Sequence, residues 1–170
     1  DNIQIYNKAV SDKNTKTKIY VPIDKNNNIS YHRFSSIYKD NINKIIKKNI
    51  NIKEYEIDTC SLLDYDFAND TVKIFKCDVE GHEIDLISTF ELALKNKIFG
   101  IIEVSKLNKN NSITFFEKII NKGDLYYFDT NLTLFRKIYT KEHYLVAHKN
   151  SEKFLLTSPG FMEEFNEHIL

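Results

Sequence analysis

The sequence predicts an α/β fold, in which helices pack on a sheet that contains parallel strands. The segment TVKIFKCDV (71–79) has apolar side chains on both faces, which is typical of a strand whose sheet is covered on both sides. A helical pattern follows it, and then a second apolar strand, FGIIEV (99–104). This unit covers roughly 30 residues, the size of one crossover between parallel strands. Since neither a repeat nor a Pro/Gly-rich linker divides the chain, residues 1–170 are predicted to form one α/β domain, or most of one.

The first third of the chain is predicted to contribute three strands and one helix. IQIYNKAV (3–10) and KTKIYVP (16–22) predict strands, and the turn-forming residues SDKNT (11–15) between them predict a hairpin. Isoleucines at roughly helical spacing predict a short amphipathic helix over 36–48. KEYEID (53–58) predicts a further strand.

A helical turn precedes the strand–helix–strand unit. TCSLLDY (59–65) predicts this turn, with Thr59 as its N-cap. After Gly81, four apolar residues recur at helical spacing and predict a helix of about four turns: Ile84, Ile87, Phe90 and Leu94.

The last third of the chain is predicted to add helices and antiparallel strands. SITFFEKIINKG (112–123) predicts a helix that ends at Gly123, and SPGFMEEFNEHIL (158–170) predicts a short terminal helix. Three segments are predicted to form antiparallel strands at the edge of the sheet: LYYFDTN (125–131), LTLFRKIY (132–139) and HYLVAHK (143–149).

The composition excludes several classes of function. Lys and Arg number 24, as do Asp and Glu, so the chain lacks the basic surplus of a general nucleic-acid or anionic-membrane binder. No apolar run approaches the roughly 20 residues of a membrane span, and residues 1–20 lack the pattern of a secretory signal. Cys60 and Cys77 lack the spacing of a zinc site, and they predict two reduced thiols in a cytoplasmic protein.

Ionisable residues are concentrated where the most apolar strand ends. In KIFKCDVEGHEIDLI (73–87), Asp78 closes the strand and Glu80 follows it. Ligands of open α/β sheets bind outside the carboxyl ends of the parallel strands, so this is a candidate binding edge. A polar group at the end of a buried strand needs a partner. For Asp78, a ligand amine, hydroxyl or cationic centre would serve, and so would a backbone group or an arginine.

The residues after Glu80 allow more than one role. Gly81 permits a sharp turn and a close approach of ligand to the backbone. His82 is a candidate base, although it could also cap the helix. Glu83 is stabilised by the positive end of the helix dipole, which accounts for an acid at this position without any ligand.

A metal site is an alternative use of the same side chains. Asp78, Glu80, His82 and Glu83 offer oxygen and nitrogen ligands, which would suit a metal-assisted hydrolase. Asp78 and Glu80 lean to one face of an extended chain, whereas His82 and Glu83 fall on the next turn. Since no second ligand cluster of fixed spacing accompanies them, no metal is predicted.

These residues carry a family resemblance. KIFKCDVEGHEIDLI resembles the signature of FkbM-family methyltransferases, in which a hydrophobic strand leads into Lys-x-Asp-Val-Glu-Gly-x-Glu and an apolar helix. YNKAVSDKNTKTKIYVP (6–22) resembles the family's Asn-x-Ala-hydrophobic-Ser-Asp segment and the hairpin after it, and IIEV (101–104) resembles the next strand. DTCSLLD (58–64) departs from the family's Thr-Leu-Asp segment, and only Thr59 fits it. The signature positions are Lys76, Asp78, Val79, Glu80, Gly81 and Glu83.

The resemblance implies a Rossmann-like methyltransferase sheet, mostly parallel with antiparallel strands at its C-terminal edge. It also implies methyl transfer from S-adenosylmethionine (SAM) to an oxygen of a small-molecule or glycan acceptor. By resemblance, Asp78 faces the junction of cofactor and substrate, and Glu80 orients the active-site loop or accepts the proton. Asn7 and Ala9 lie where a strand of such a sheet approaches the adenine.

Two parts of the family's cofactor site are missing from the sequence. The family has a glycine-rich turn after its first strand and a ribose-binding acid after its second, and neither is present. The four glycines are too far apart to form such a turn: Gly81, Gly100, Gly123 and Gly160. We therefore expect a partial domain that lacks its first strands, depends on an N-terminal half of the same protein, and leaves an apolar face and a sheet edge uncovered. The alternative is a non-catalytic α/β interaction module derived from such a domain.

Overall fold

A computed structural model describes residues 5–24, 35–45, 50–64, 74–106 and 109–162. The chain divides into two compact units, 1–65 and 66–170, and each has a sheet of its own. The units are described separately below. The expectation that residues 1–170 form a single domain stays a prediction.

A long strand organises the first unit. Strands β1 (Ala9–Ser11) and β2 (Lys16–Asp24) lie on either side of β3 (Ile50–Ser61). β1 runs parallel to β3, and β2 runs antiparallel to it. Helix α1 (Lys39–Ile45) lies between β2 and β3 in sequence, and a 3₁₀ turn (Leu62–Asp64) follows β3.

The hairpin predicted for residues 3–22 is wrong, although the strand predicted at 16–22 is confirmed. β3 separates β1 from β2, because the turn between them is held by Thr59 of β3. The Thr59 hydroxyl donates to the carbonyl oxygen of Lys13 at 2.7 Å and accepts the Thr15 N–H at 2.9 Å. A local turn therefore leads into pairing with a strand more than forty residues away.

The N-cap role predicted for Thr59 is also wrong, because Thr59 lies inside β3. The 3₁₀ turn begins three residues later, and the Ser61 hydroxyl accepts the Leu63 N–H at 3.2 Å. The helix predicted over 36–48 is confirmed at 39–45 as α1; residues 36–38 are not helical, and residues 46–49 lie outside the described residues.

The second unit contains a mixed five-stranded sheet with the strand order β4-β5-β8-β6-β7. β4 and β5 are parallel, whereas β8 is antiparallel to both β5 and β6. β4, β5 and β6 consequently run in one direction and β7 and β8 in the other. The strands are β4 (Ile74–Asp78), β5 (Phe99–Glu103), β6 (Asp124–Asp129), β7 (Leu134–Lys137) and β8 (Lys153–Thr157).

Together the two units confirm an α/β fold. The described sheets are mixed, with antiparallel as well as parallel ladders, so the expectation of a mostly parallel sheet does not hold for the described part of the chain. Two of the three antiparallel strands expected toward the C-terminal end are present, as β6 and β7.

Three helices cover one face of the five-stranded sheet. A 3₁₀ turn (Glu83–Leu86) leads into α2 (Ile87–Lys95), which connects β4 to β5 as predicted. Helix α3 (Lys109–Ile119) packs against α2 and against α4 (Lys141–Asn150). Each large apolar side chain buried there stabilises the fold by roughly 1.5–3 kcal/mol relative to an exposed one. The most buried are Leu86, Phe115, Ile119, Tyr144, Ile102, Leu125, Phe154 and Leu156.

Gly100 allows a close approach between β4 and β5. The Phe75 ring stacks on the Phe90 ring of α2 with a centroid distance of 5.8 Å. A Cβ added at Gly100 would lie 2.3 Å from the Phe75 carbonyl oxygen and 2.5 Å from its ring. The missing side chain therefore leaves the space in which Phe75 packs.

The strand predicted at 143–149 is wrong, because these residues form α4. The Thr140 hydroxyl caps this helix by accepting the His143 N–H at 3.2 Å, and the buried residues Tyr144, Ala147 and His148 follow helical spacing. The strand that does occupy the sheet here, β8, was not predicted. Of the helix predicted over 158–170, residues 161 and 162 are helical, and 163–170 lie outside the described residues.

No described helix of the second unit packs on the opposite face of its sheet, which we call the open face. Because side chains alternate along a strand, Ile74 and Ile101 project there. They are 64% and 44% exposed, and Phe128 and Phe135 on the same face are 42% and 45% exposed. The prediction that the strand at 71–79 is covered on both faces is therefore wrong for its described part.

Candidate functional site

Two carboxylates lie side by side at the carboxyl ends of β4 and β5. Asp78 and Glu103 are partners in the parallel ladder. An Asp78 oxygen accepts a hydrogen bond from Lys76 Nζ at 2.9 Å, and this side chain is 38% exposed. Lys153 Nζ lies 3.9 Å from Glu103. A protein cation, and not an interior group, thus satisfies Asp78. Exposed ion pairs of this kind contribute little free energy.

The loop after β4 has a left-handed backbone. Glu80 has a φ of 49° and Gly81 a φ of 96°. Glycine takes this conformation freely, as the sequence predicts for Gly81, but for glutamate it costs on the order of 1 kcal/mol. The effect is to turn the chain sharply and to place Glu80 beside the strand ends.

Glu80 lies among other acids. Its pKa is raised above the ordinary value because the side chain is partly buried and because Asp78, Glu103 and Glu152 are also negative. A carboxylate with a raised pKa is a stronger base. The concentration of negative charge also favours a cationic ligand at this edge.

Glu83 is buried and joins two loops. One of its carboxylate oxygens accepts the Gly81 N–H at 2.8 Å, and the backbone N–H groups of Ser105 and of Glu83 itself also donate to the carboxylate. Burial nevertheless raises its pKa to about 7. Glu83 therefore ties the loop after β4 to the residues that follow β5. The sequence predicted only a favourable helix-dipole interaction, because the approach of Ser105 is not visible in a local pattern.

His82 is held by its neighbour. The imidazole is buried, and Nδ1 lies 2.7 Å from an Asp85 carboxylate oxygen. Its side chain does not cap the helix. An imidazole next to a carboxylate has the geometry of an oriented base, but it lies inside the protein. A catalytic role for His82 stays a prediction.

Cys77 precedes the acids and is unsuited to nucleophilic chemistry. Burial, together with Glu83 and Asp78, raises the pKa of its thiol to about 12. The thiolate is the reactive form, and the raised pKa disfavours it at neutral pH. Both Cys60 and Cys77 are free thiols.

The residues expected to approach the adenine belong to the first unit. Asn7 is exposed and precedes β1, and Ala9 is half-buried and pairs with Thr59. Asp78, Glu80 and His82 belong to the second unit. That Asn7 and Ala9 share a cofactor site with Asp78 stays a prediction.

The second unit also has a groove of about 670 Å³ near the ends of β6 and β8. Phe128, Phe135, Asp129 and Lys153 contribute to its lining, whereas Asp78, Glu80 and His82 do not. Lys153 connects the groove to these carboxylates, because it pairs in the ladder with Glu103, which pairs with Asp78. The groove therefore lies next to the carboxylates at the ends of β4 and β5.

In the described ranges no group of three or more His, Cys, Asp or Glu side chains is placed to hold a metal ion. None of the helices in the described part of the chain has the length and apolar character needed to cross a membrane. No protein-family model, curated protein or solved structure matches this chain.

Proposed function

We propose that the chain is the C-terminal portion of a SAM-dependent methyltransferase that methylates an oxygen of a small-molecule or glycan acceptor. The observation that carries the proposal is the position of Asp78. It ends a strand of a parallel pair, lies next to Glu103, and has an exposed lysine as its partner. The resemblance of residues 73–87 to FkbM-family methyltransferases supplies the reaction.

The carboxylates near the ends of β4 and β5 complement the positive charges of the cofactor. SAM carries a sulfonium and an ammonium group, and Asp78, Glu80, Glu103 and Glu152 form a negative region that would attract them. The glycine-rich turn and the ribose-binding acid of the family are not in this sequence. We therefore expect this chain alone to bind SAM weakly, and the longer protein to bind it well.

The residues have separate tasks in the proposed reaction. When bound, SAM supplies an electrophilic methyl group on a positively charged sulfur. Asp78 would hold the cationic centre of the cofactor beside the acceptor hydroxyl. Glu80 would accept the proton that the acceptor hydroxyl loses, on a carboxylate oxygen.

Titration of the longer protein with SAM by calorimetry tests this proposal. Binding should be observed, and Asp78→Asn should weaken it roughly tenfold or more, because a hydrogen bond to a charged group contributes about 1.5–3 kcal/mol. Glu117→Gln is the matched control, since Glu117 is exposed on α3 and pairs with Lys141 at 2.7 Å. A folded sample that releases no heat, or equal affinity in the Asp78 variant, would contradict the proposal.

A non-catalytic interaction module is the second candidate. The observation in its favour is the open face, where Ile74 and Ile101 are exposed at diagonal positions on neighbouring strands. Apolar side chains grouped in this way commonly mark contact surfaces. A partner whose binding survives Asp78→Asn but is lost on Ile101→Asp would favour the module.

A further inference from the structure

The groove of about 670 Å³ lies on the open face of the five-stranded sheet. Its volume falls within the roughly 300–1,000 Å³ that is usual for small-molecule sites. The strand ladders place five of its lining residues on the open face: Ile101, Leu155, Phe128, Phe135 and Lys153. A concave site of this size suits a small molecule better than it suits a protein surface.

Two pairs of ladder partners form the apolar part of the groove. Ile101 of β5 lies opposite Leu155 of β8, and Phe128 of β6 lies opposite Phe135 of β7. The two phenylalanine rings meet edge to face with a centroid distance of 5.3 Å, and both remain exposed. Aromatic rings beside aliphatic side chains favour a flat apolar ligand, because such a ligand buries its own area and theirs together.

One end of the groove carries a positive charge. Of the described residues that line it, Asp129 and Lys153 are charged. The Asp129 carboxylate already has partners, since it accepts the Asn131 N–H at 3.0 Å and lies 3.4 Å from Arg136. Lys153 is less committed, because its side chain is 66% exposed and its Nζ lies 3.9 Å from Glu103, at the outer limit of an ion pair. The charge that a ligand meets here is therefore that of an ammonium group.

We propose that this groove binds a small organic anion with a flat apolar body, of the class of the aromatic carboxylates. The ring system packs on Phe128 and Ile101, and the carboxylate pairs with Lys153 Nζ. Lys153 precedes Leu155 by two positions in β8, about 7 Å along the strand, a spacing that a two-ring aromatic acid spans. None of these residues has a task in the proposed methyl transfer, so this proposal is independent of it.

The neighbouring carboxylate makes the proposal specific in sign. Glu103 does not line the groove, but it lies 3.9 Å from the same ammonium group. It therefore competes with a ligand carboxylate for Lys153 and also repels it. Glu103→Gln should strengthen the binding of an aromatic carboxylate, whereas Lys153→Gln should weaken it. A surface that is merely apolar would respond to neither change.

The test is a ligand-observed NMR titration of the full chain with 2-naphthoate, with 2-naphthamide as the uncharged analogue. Naphthoate should bind more tightly than naphthamide. Lys153→Gln should weaken naphthoate about three- to fivefold, the scale of an exposed ion pair, and leave naphthamide unchanged, and Glu103→Gln should strengthen naphthoate by a similar factor. Lys141→Gln is the matched control, because Lys141 is an exposed lysine that pairs with Glu117, and it should change neither affinity.

Removal of an aromatic ring tests the apolar part of the groove. Phe128→Ala should weaken both ligands about tenfold, with circular dichroism confirming that the fold is retained. The proposal is overturned if naphthoate does not bind the folded chain, or if Lys153→Gln has no effect or weakens both ligands equally. It is also overturned if Glu103→Gln fails to strengthen naphthoate, or if the chain sediments as a dimer whose formation excludes naphthoate, since a second copy would then occupy the groove.

Discussion

Replacing Glu83 by glutamine removes the ionisation of a buried carboxylate while keeping one oxygen for the Gly81 N–H. The pKa of Glu83 is about 7 in the folded protein, compared with an ordinary value of 4.5. Below pH 4.5 the carboxyl is protonated in both the folded and the unfolded chain. As pH rises from there, the unfolded chain releases its proton first, so stability falls until the folded group has also ionised near pH 7.

The size of the loss follows from the two pKa values. Each pKa unit between 4.5 and about 7 corresponds to about 1.4 kcal/mol, so Glu83 lowers the free energy of unfolding by about 3 kcal/mol across this window. Glutamine does not titrate, and its free energy of unfolding should lack this decline. The free energy of unfolding of the variant should therefore increase, relative to that of the natural protein, as pH rises. A cost of about 1–3 kcal/mol offsets this increase where the glutamine NH2 group faces a backbone N–H.

The assay is denaturant unfolding followed by circular dichroism, at pH steps from below 4.5 to above 7. The informative quantity is the change with pH in the difference between the two proteins, because a constant packing or hydrogen-bond cost cancels from it. Glu117→Gln, a change at an exposed ion pair, should follow the natural protein throughout. Parallel curves for Glu83→Gln and the natural protein would refute the reasoning.

Two further substitutions test the packing described above. Thr59→Val should lower the free energy of unfolding by about 1–3 kcal/mol in urea denaturation, because the turn at 12–15 loses the hydroxyl that bonds to it; an effect no larger than that of Thr17→Val would contradict this role. Gly100→Ala should cost about 1–3 kcal/mol by the same measurement, because the new methyl group meets Phe75, and a neutral or stabilising result would mean that the strands separate without strain.

The sequence predicted well the elements whose apolar pattern is strong and local. β4, α2 and β5 follow directly from the residues of 71–104, because burial on a regular period leaves a clear record in the sequence. HYLVAHK was misleading because aromatic and β-branched residues alternate in it. Its helix depends on the Thr140 cap and on burial of Tyr144 against α3 and β8.

Long-range partners are what local patterns could not supply. The predicted hairpin depended on a good turn signal, but the insertion of β3 between β1 and β2 is decided by residues far along the chain. In the candidate site, the position of Asp78 at a parallel strand end was predicted, and its Lys76 partner was not. The role of Glu83 as a link between loops depends on where Ser105 comes to lie, which only the folded chain reveals.

The place of β8 in the sheet also affects the order in which this unit can be made. β8 is the last of the described strands in sequence, yet it lies between β5 and β6. Until Lys153 and the residues after it have been synthesised, the β4–β5 pair has no ladder to the β6–β7 pair, because β8 lies between them in the sheet. Until β8 emerges, the nascent chain therefore holds two strand pairs with no ladder between them, and during that interval it depends most on protection from aggregation.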